Sequence, residues 1–207
     1  MGDRSPAGAL YFRPIVIVGI VACLGIVVGS IGPWLRVYTF SANGLDIDGW
    51  GNATLTLGAA SGVVLATEAE FRRSRSGAKW AVPLACGVFV AGTACLAVAI
   101  VNSVTFVSTS TEILGASIDA SAGWGLWLVG FCSAGLCVIA AILAVRAGGE
   151  VQDASDPRLD SWTAVWWWAA VAASAVIVIC AAAYAWVTAV QPNDDATLFE
   201  IFEHLQH

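Results

Sequence analysis

The chain has 207 residues, 58% of them hydrophobic and 12% charged, with a formal net charge of −6. That composition excludes a disordered chain, and its acidic balance supplies no basic surface for nucleic acid. Five stretches of 19 or more residues carry no charge: Pro14 to Leu35, Gly49 to Thr67, Trp80 to Thr111, Ala120 to Val145 and Ser161 to Asn193. A bilayer crossing needs roughly 20 mainly apolar residues, and a helix alone satisfies its own backbone polar groups there. The sequence therefore reads as an all-α integral membrane protein with five transmembrane helices, a four-helix core of two hairpins plus a fifth.

Residues 1–13 read as a cytoplasmic N-terminus and 14–146 as the four-span core, with outer loops at 36–49 and 103–121. A cytoplasmic loop (147–160), a fifth span (161–190) and an outer amphipathic tail (191–207) follow. Basic residues set this orientation, because Lys and Arg are held on the cytoplasmic side during insertion. Arg4, Arg13, Arg72, Arg73, Arg75, Lys79, Arg146 and Arg158 fall on one side and only Arg36 on the other. The localisation expected is the bacterial plasma membrane, N-terminus cytoplasmic and C-terminus outside.

In the first span, Ile20-Val21-Ala22-Cys23 fits a lipoprotein cleavage pattern, but the apolar run continues to Leu35, as a retained helix does and a signal peptide does not. The outer loop after it predicts a β-hairpin: Arg36 to Ala42 alternates polar and apolar residues, Asn43-Gly44 is a hairpin turn, and Leu45 to Gly49 alternates again. Asp46 and Asp48 then share one face, where a solvated acidic turn explains them better than half a calcium loop does.

The second span is the least apolar, with Asn52, Thr54, Thr56 and Ser61, and is expected to pack inside the bundle. Small residues spaced by four, Gly25 and Gly29, Gly58 and Gly62, Gly87 and Ala91, allow close helix contacts. Asn52-Ala53-Thr54 matches a glycan acceptor by chance beside a span. Gly49-Trp50-Gly51 and Gly123-Trp124-Gly125 open the second and fourth spans alike, a trace of duplication. The second outer loop, Ser103 to Ser121, is rich in Thr, Ser and Val and is placed to pair with the hairpin.

Tryptophans mark the span ends, as girdle anchors do. Trp34, Trp50, Trp124, Trp127 and Trp186 lie near the outer ends, and Trp80, Trp162, Trp166, Trp167 and Trp168 near the inner ends. In the tail, Leu198, Ile201, Phe202 and Leu205 form a stripe at helical spacing, with Asp194 and Asp195 at its start. The polar face of that stripe is acidic, so a protein surface suits it better than anionic lipid. Glu200, Glu203, His204 and His207 have metal-like spacing there, but a solvated charged face has it too, and no metal site is assigned.

No Asp, Glu, Lys, Arg or His occurs within any of the five stretches, and proton relays, ion pathways and acid–base catalysis inside a membrane use such residues. The cysteines, Cys23, Cys86, Cys95, Cys132, Cys137 and Cys180, all lie in spans and read as small buried apolar groups rather than a disulfide framework. No cofactor is expected, and neither inner connection holds a Gly-rich phosphate loop.

Pro33-Trp34-Leu35, Gly44-Leu45-Asp46-Ile47-Asp48-Gly49 and Gly123-Trp124-Gly125-Leu126-Trp127-Leu128 together resemble a broad group of small actinobacterial multi-spanning membrane proteins of unknown function. The resemblance covers residues 14–146 and implies four spans joined by outer loops; the fifth span and acidic tail depart from it. The function expected is that of a non-catalytic accessory or stabilising subunit of a larger cell-envelope complex, a transport or respiratory assembly. Its partners would be membrane lipids and other membrane-protein subunits, met through Leu198, Ile201, Phe202, Leu205, Asp46 and Asp48. The alternative is a small transporter or lipid-handling protein with an apolar path between helices.

Overall fold

A computed structural model describes residues 7–37, 40–46, 49–71, 78–108, 112–113, 116–117, 120–152 and 157–190. Five helices dominate: α1 (Ala7–Ile31), α2 (Trp50–Phe71), α3 (Ala78–Ser108), α4 (Trp124–Gln152) and α5 (Pro157–Val190). Their boundaries follow local chemistry. α1 stops at Gly32-Pro33, where proline disfavours helical backbone in the residue before it. Pro157 occupies the first position of α5, where its missing N–H is no loss. α3 runs on to Ser108, past the point where the second outer loop was expected to begin.

Contacts between small and large residues give the directions. Gly58 of α2 faces Ile26 of α1 while Gly19 faces Leu65, so α1 and α2 are antiparallel. Gly25 faces Cys132 and Gly29 faces Val129, so α1 and α4 are antiparallel too. α2 packs on α3 and α3 on α4, which closes a ring of four helices. The ring is filled by Ile26, Leu65, Leu126, Val129, Leu136 and Leu143, all buried. α5 starts at the end opposite the sheet and lies along α3, seated on the small residues Ala81, Val82 and Cys86 with Ala147 of α4. Half of the apolar run of α3 is buried within the molecule, against 11% of that of α5.

Four of the five helices are long and apolar enough to cross a membrane: Pro14–Ile31, Trp80–Thr105, Trp124–Ala147 and Val165–Ala185. α2, expected as a fifth span, has the length of one but not the hydropathy. Its polar residues explain the difference. Of the four expected to pack inside, Thr54 and Ser61 are turned inward and buried, whereas Asn52 and Thr56 are exposed, so only part of the polar composition of α2 reflects a face that meets other helices.

One end of the bundle carries a three-stranded antiparallel sheet, in the order β2 (Phe40–Asn43), β1 (Pro33–Val37), β5 (Ala120–Ala122), and β3 (Glu112–Ile113) pairs with β4 (Ala116–Ser117). The hairpin expected in the first loop exists, but shifted toward the N-terminus. Val37 pairs with Phe40, so the two strands meet closest at that pair, and Asn43-Gly44 ends the second strand instead of turning it. Gly44–Asp46 is a 3₁₀ turn where the second strand was expected. The reason is close packing: a Cβ on Gly44 would lie 2.5 Å from the Ser30 carbonyl oxygen and from the Trp34 ring. Glycine is needed there for space, not for a hairpin turn. Segment 120–122 of the second loop does pair with the hairpin, Leu35 opposite Ala122.

Candidate functional site

Two places in the molecule hold candidate functional residues, one at the sheet end of the bundle and one midway along α2. At the sheet end, β1 is irregular between Pro33 and Leu35, so Trp34 falls at a break in strand register. Such breaks re-aim a side chain. Trp34 is fully buried, and its indole Nε1–H donates to the Gly29 carbonyl at 2.9 Å. It is therefore the plug of the bundle, not the girdle anchor that its place at a span end predicts.

Polar groups beside Trp34 are linked across α1 and α2. Ser30 Oγ lies 2.8 Å from both the Ile26 carbonyl and Thr54 Oγ1, and Thr54 Oγ1 donates to the Gly51 carbonyl at 3.0 Å. The two hydroxyls have two hydrogens for three contacts, so one contact is unmade at any instant. Backbone closes the remainder: Gly123 N–H donates to the Trp34 carbonyl at 2.7 Å, and Gly44 N–H to the Gly32 carbonyl at 3.1 Å. The two Gly-Trp-Gly motifs flank this plug and open α2 and α4 on their tryptophans. A Cβ on Gly51 would collide with the Gly44 carbonyl, and one on Gly123 with that of Pro33. Gly49, at φ 74°, is in the left-handed region that glycine alone enters freely. Every group here is occupied in holding the cap together, and its chemistry is structural.

A cleft of about 170 Å³ lies between α2 and α3, midway along α2. Leu57, Ala60 and Val64 form one wall, Pro83, Leu84, Gly87 and Ala91 the other, and Ser61 and Val88 are its buried residues. Here the small residues do not bring helices together: a Cβ on Gly87 would meet nothing within 4 Å. The close contact expected at Gly87 is absent, whereas Gly25, Gly29 and Gly58 make theirs within the molecule. Ala60 and Gly87 are exposed, so the cleft opens at the periphery of the bundle.

All six cysteines are free, Cys23, Cys86 and Cys95 are buried, and Cys137 Sγ lies 3.7 Å from Thr93 Oγ1. Cys180, expected inside, is exposed on α5. Among the described residues no three His, Cys, Asp or Glu side chains are grouped to hold a metal ion. Ser133 and Ser174 hydroxyls are buried with no hydrogen-bond partner.

Of the contact residues read from the sequence, Asp48, Leu198, Ile201, Phe202 and Leu205 lie outside the described residues, as does the whole C-terminal stripe, while Asp46 closes the 3₁₀ turn. Trp50, Trp80, Trp124 and Trp127 are exposed in the first turns of their helices, and Trp166 and Trp168 at the start of the apolar run of α5, as a girdle requires. Trp167 instead stacks toward Phe89 at 5.8 Å and ties α5 to α3. The plug formed by Trp34, Ser30 and Thr54 went unread in the sequence, although Gly-Pro-Trp beside Gly-Trp-Gly was its visible trace. Comparison with known proteins gives no match: no family model, no curated protein and no solved structure is significantly similar to this chain.

Proposed function

We propose that the chain is a multi-pass protein of the bacterial plasma membrane, N-terminus cytoplasmic and C-terminus outside, that serves as a non-catalytic accessory or stabilising subunit of a larger cell-envelope complex. The observation that carries this reading is the filled centre of the four-helix ring. Ile26, Leu65, Leu126, Leu136 and Leu143 occupy it, Trp34 plugs its sheet end, and no Asp, Glu, Lys, Arg or His occurs in any of the five uncharged stretches. A solid apolar centre suits a scaffold better than an ion path or an acid–base site.

In this reading α2 crosses with the others, because it lies antiparallel to α1 from Thr54, opposite Ser30, to Leu65, opposite Gly19. Its Thr54 hydroxyl meets Ser30 of α1, and Thr56 and Thr67 donate to carbonyls of α2 itself, which is how polar residues are accommodated in a bundle. The long α5, attached along one strip, presents Val176, Val178 and Ile179 outward. That face and the outer tail are the surfaces offered to a partner subunit and to lipid.

Isolation of the tagged protein from its native membrane in mild detergent tests the proposal. The expected result is a stoichiometric membrane-protein partner that is lost when Leu198, Ile201, Phe202 and Leu205 are changed to Gln. Recovery of a single homogeneous species without any partner overturns it.

A further inference from the structure

We draw no further inference here: the strongest candidate, the apolar cleft between α2 and α3 midway along α2, is an open groove, and nothing in the structure shows what covers it.

Discussion

Glycine does opposite work in two places on this bundle, the sheet end and the α2–α3 cleft. At the sheet end Gly44, Gly51, Gly123 and Gly125 each touch backbone or the Trp34 and Pro33 region so closely that a methyl group would collide. In the α2–α3 cleft a methyl group on Gly87 would meet nothing. The first set buys close approach; the second leaves a space open. Small residues in an apolar helix thus have two meanings, and the neighbours decide which applies.

Trp34→Ala tests the first meaning most severely. It removes the largest buried side chain of the cap together with the indole hydrogen bond to Gly29, and a loss of about 3–5 kcal/mol is expected from cavity formation. Trp34→Phe keeps most of the volume and leaves the Gly29 carbonyl without its side-chain donor, which costs about 1–3 kcal/mol. Both are read as shifts in the midpoint of unfolding in detergent. Equal effects from the two variants would mean that the hydrogen bond, not the packing, holds the plug.

Gly123→Ala comes next. The added methyl group meets the Pro33 carbonyl, which is backbone and yields little, so about 1–3 kcal/mol of overpacking is expected. If the variant unfolds at the same midpoint as the unaltered protein, the cap is loose and the comparison between the two places fails.

Much of this architecture is legible in the amino-acid order, for a physical reason: an uncharged run of about 20 residues has one stable form in an apolar solvent. The five helices are recognisable because Pro14 to Leu35 and its counterparts carry no charge. What misleads is the reading of single residues by position. Trp34 stands at a span end, where tryptophan usually anchors at an interface, yet the register break at Pro33 and Leu35 turns it inward. Asn43-Gly44 has the chemistry of a hairpin turn, yet Gly44 is used for its lack of a side chain against Trp34. α2 looks marginal by hydropathy because of Asn52, Thr54, Thr56 and Ser61, of which Thr54 and Ser61 face other helices and Asn52 and Thr56 do not, a division held by Ser30 and the neighbouring helices and not by α2 itself. The cleft had a sequence trace in Gly87 and Ala91, but spacing by four is the same for a contact and for a gap.

The Ser30–Thr54 link is expected to matter less than the plug. Hydrogen bonds between membrane helices average about 0.6 and reach about 1.7 kcal/mol, because the separated helices find other partners. Here the link also competes with the Ile26 and Gly51 carbonyls for two hydrogens. A double-mutant cycle of Ser30→Ala and Thr54→Val should give a coupling of about 0.6 kcal/mol. A coupling above about 2 kcal/mol would make this pair, rather than Trp34, the clasp between α1 and α2.

Gly87→Ala carries the smallest effect and the opposite sign. Glycine inside a helix gives up more conformational freedom on folding than alanine, a difference of about 0.5–1 kcal/mol, and the space at Gly87 sets no steric cost against it. The variant should therefore be more stable than the unaltered protein, with a higher unfolding midpoint, whereas Gly123→Ala should be less stable by the same measurement. One substitution made in two places on the bundle then separates the two meanings by sign. If Gly87→Ala destabilises instead, some part of the chain or a bound molecule already occupies the cleft and is displaced by a single methyl group.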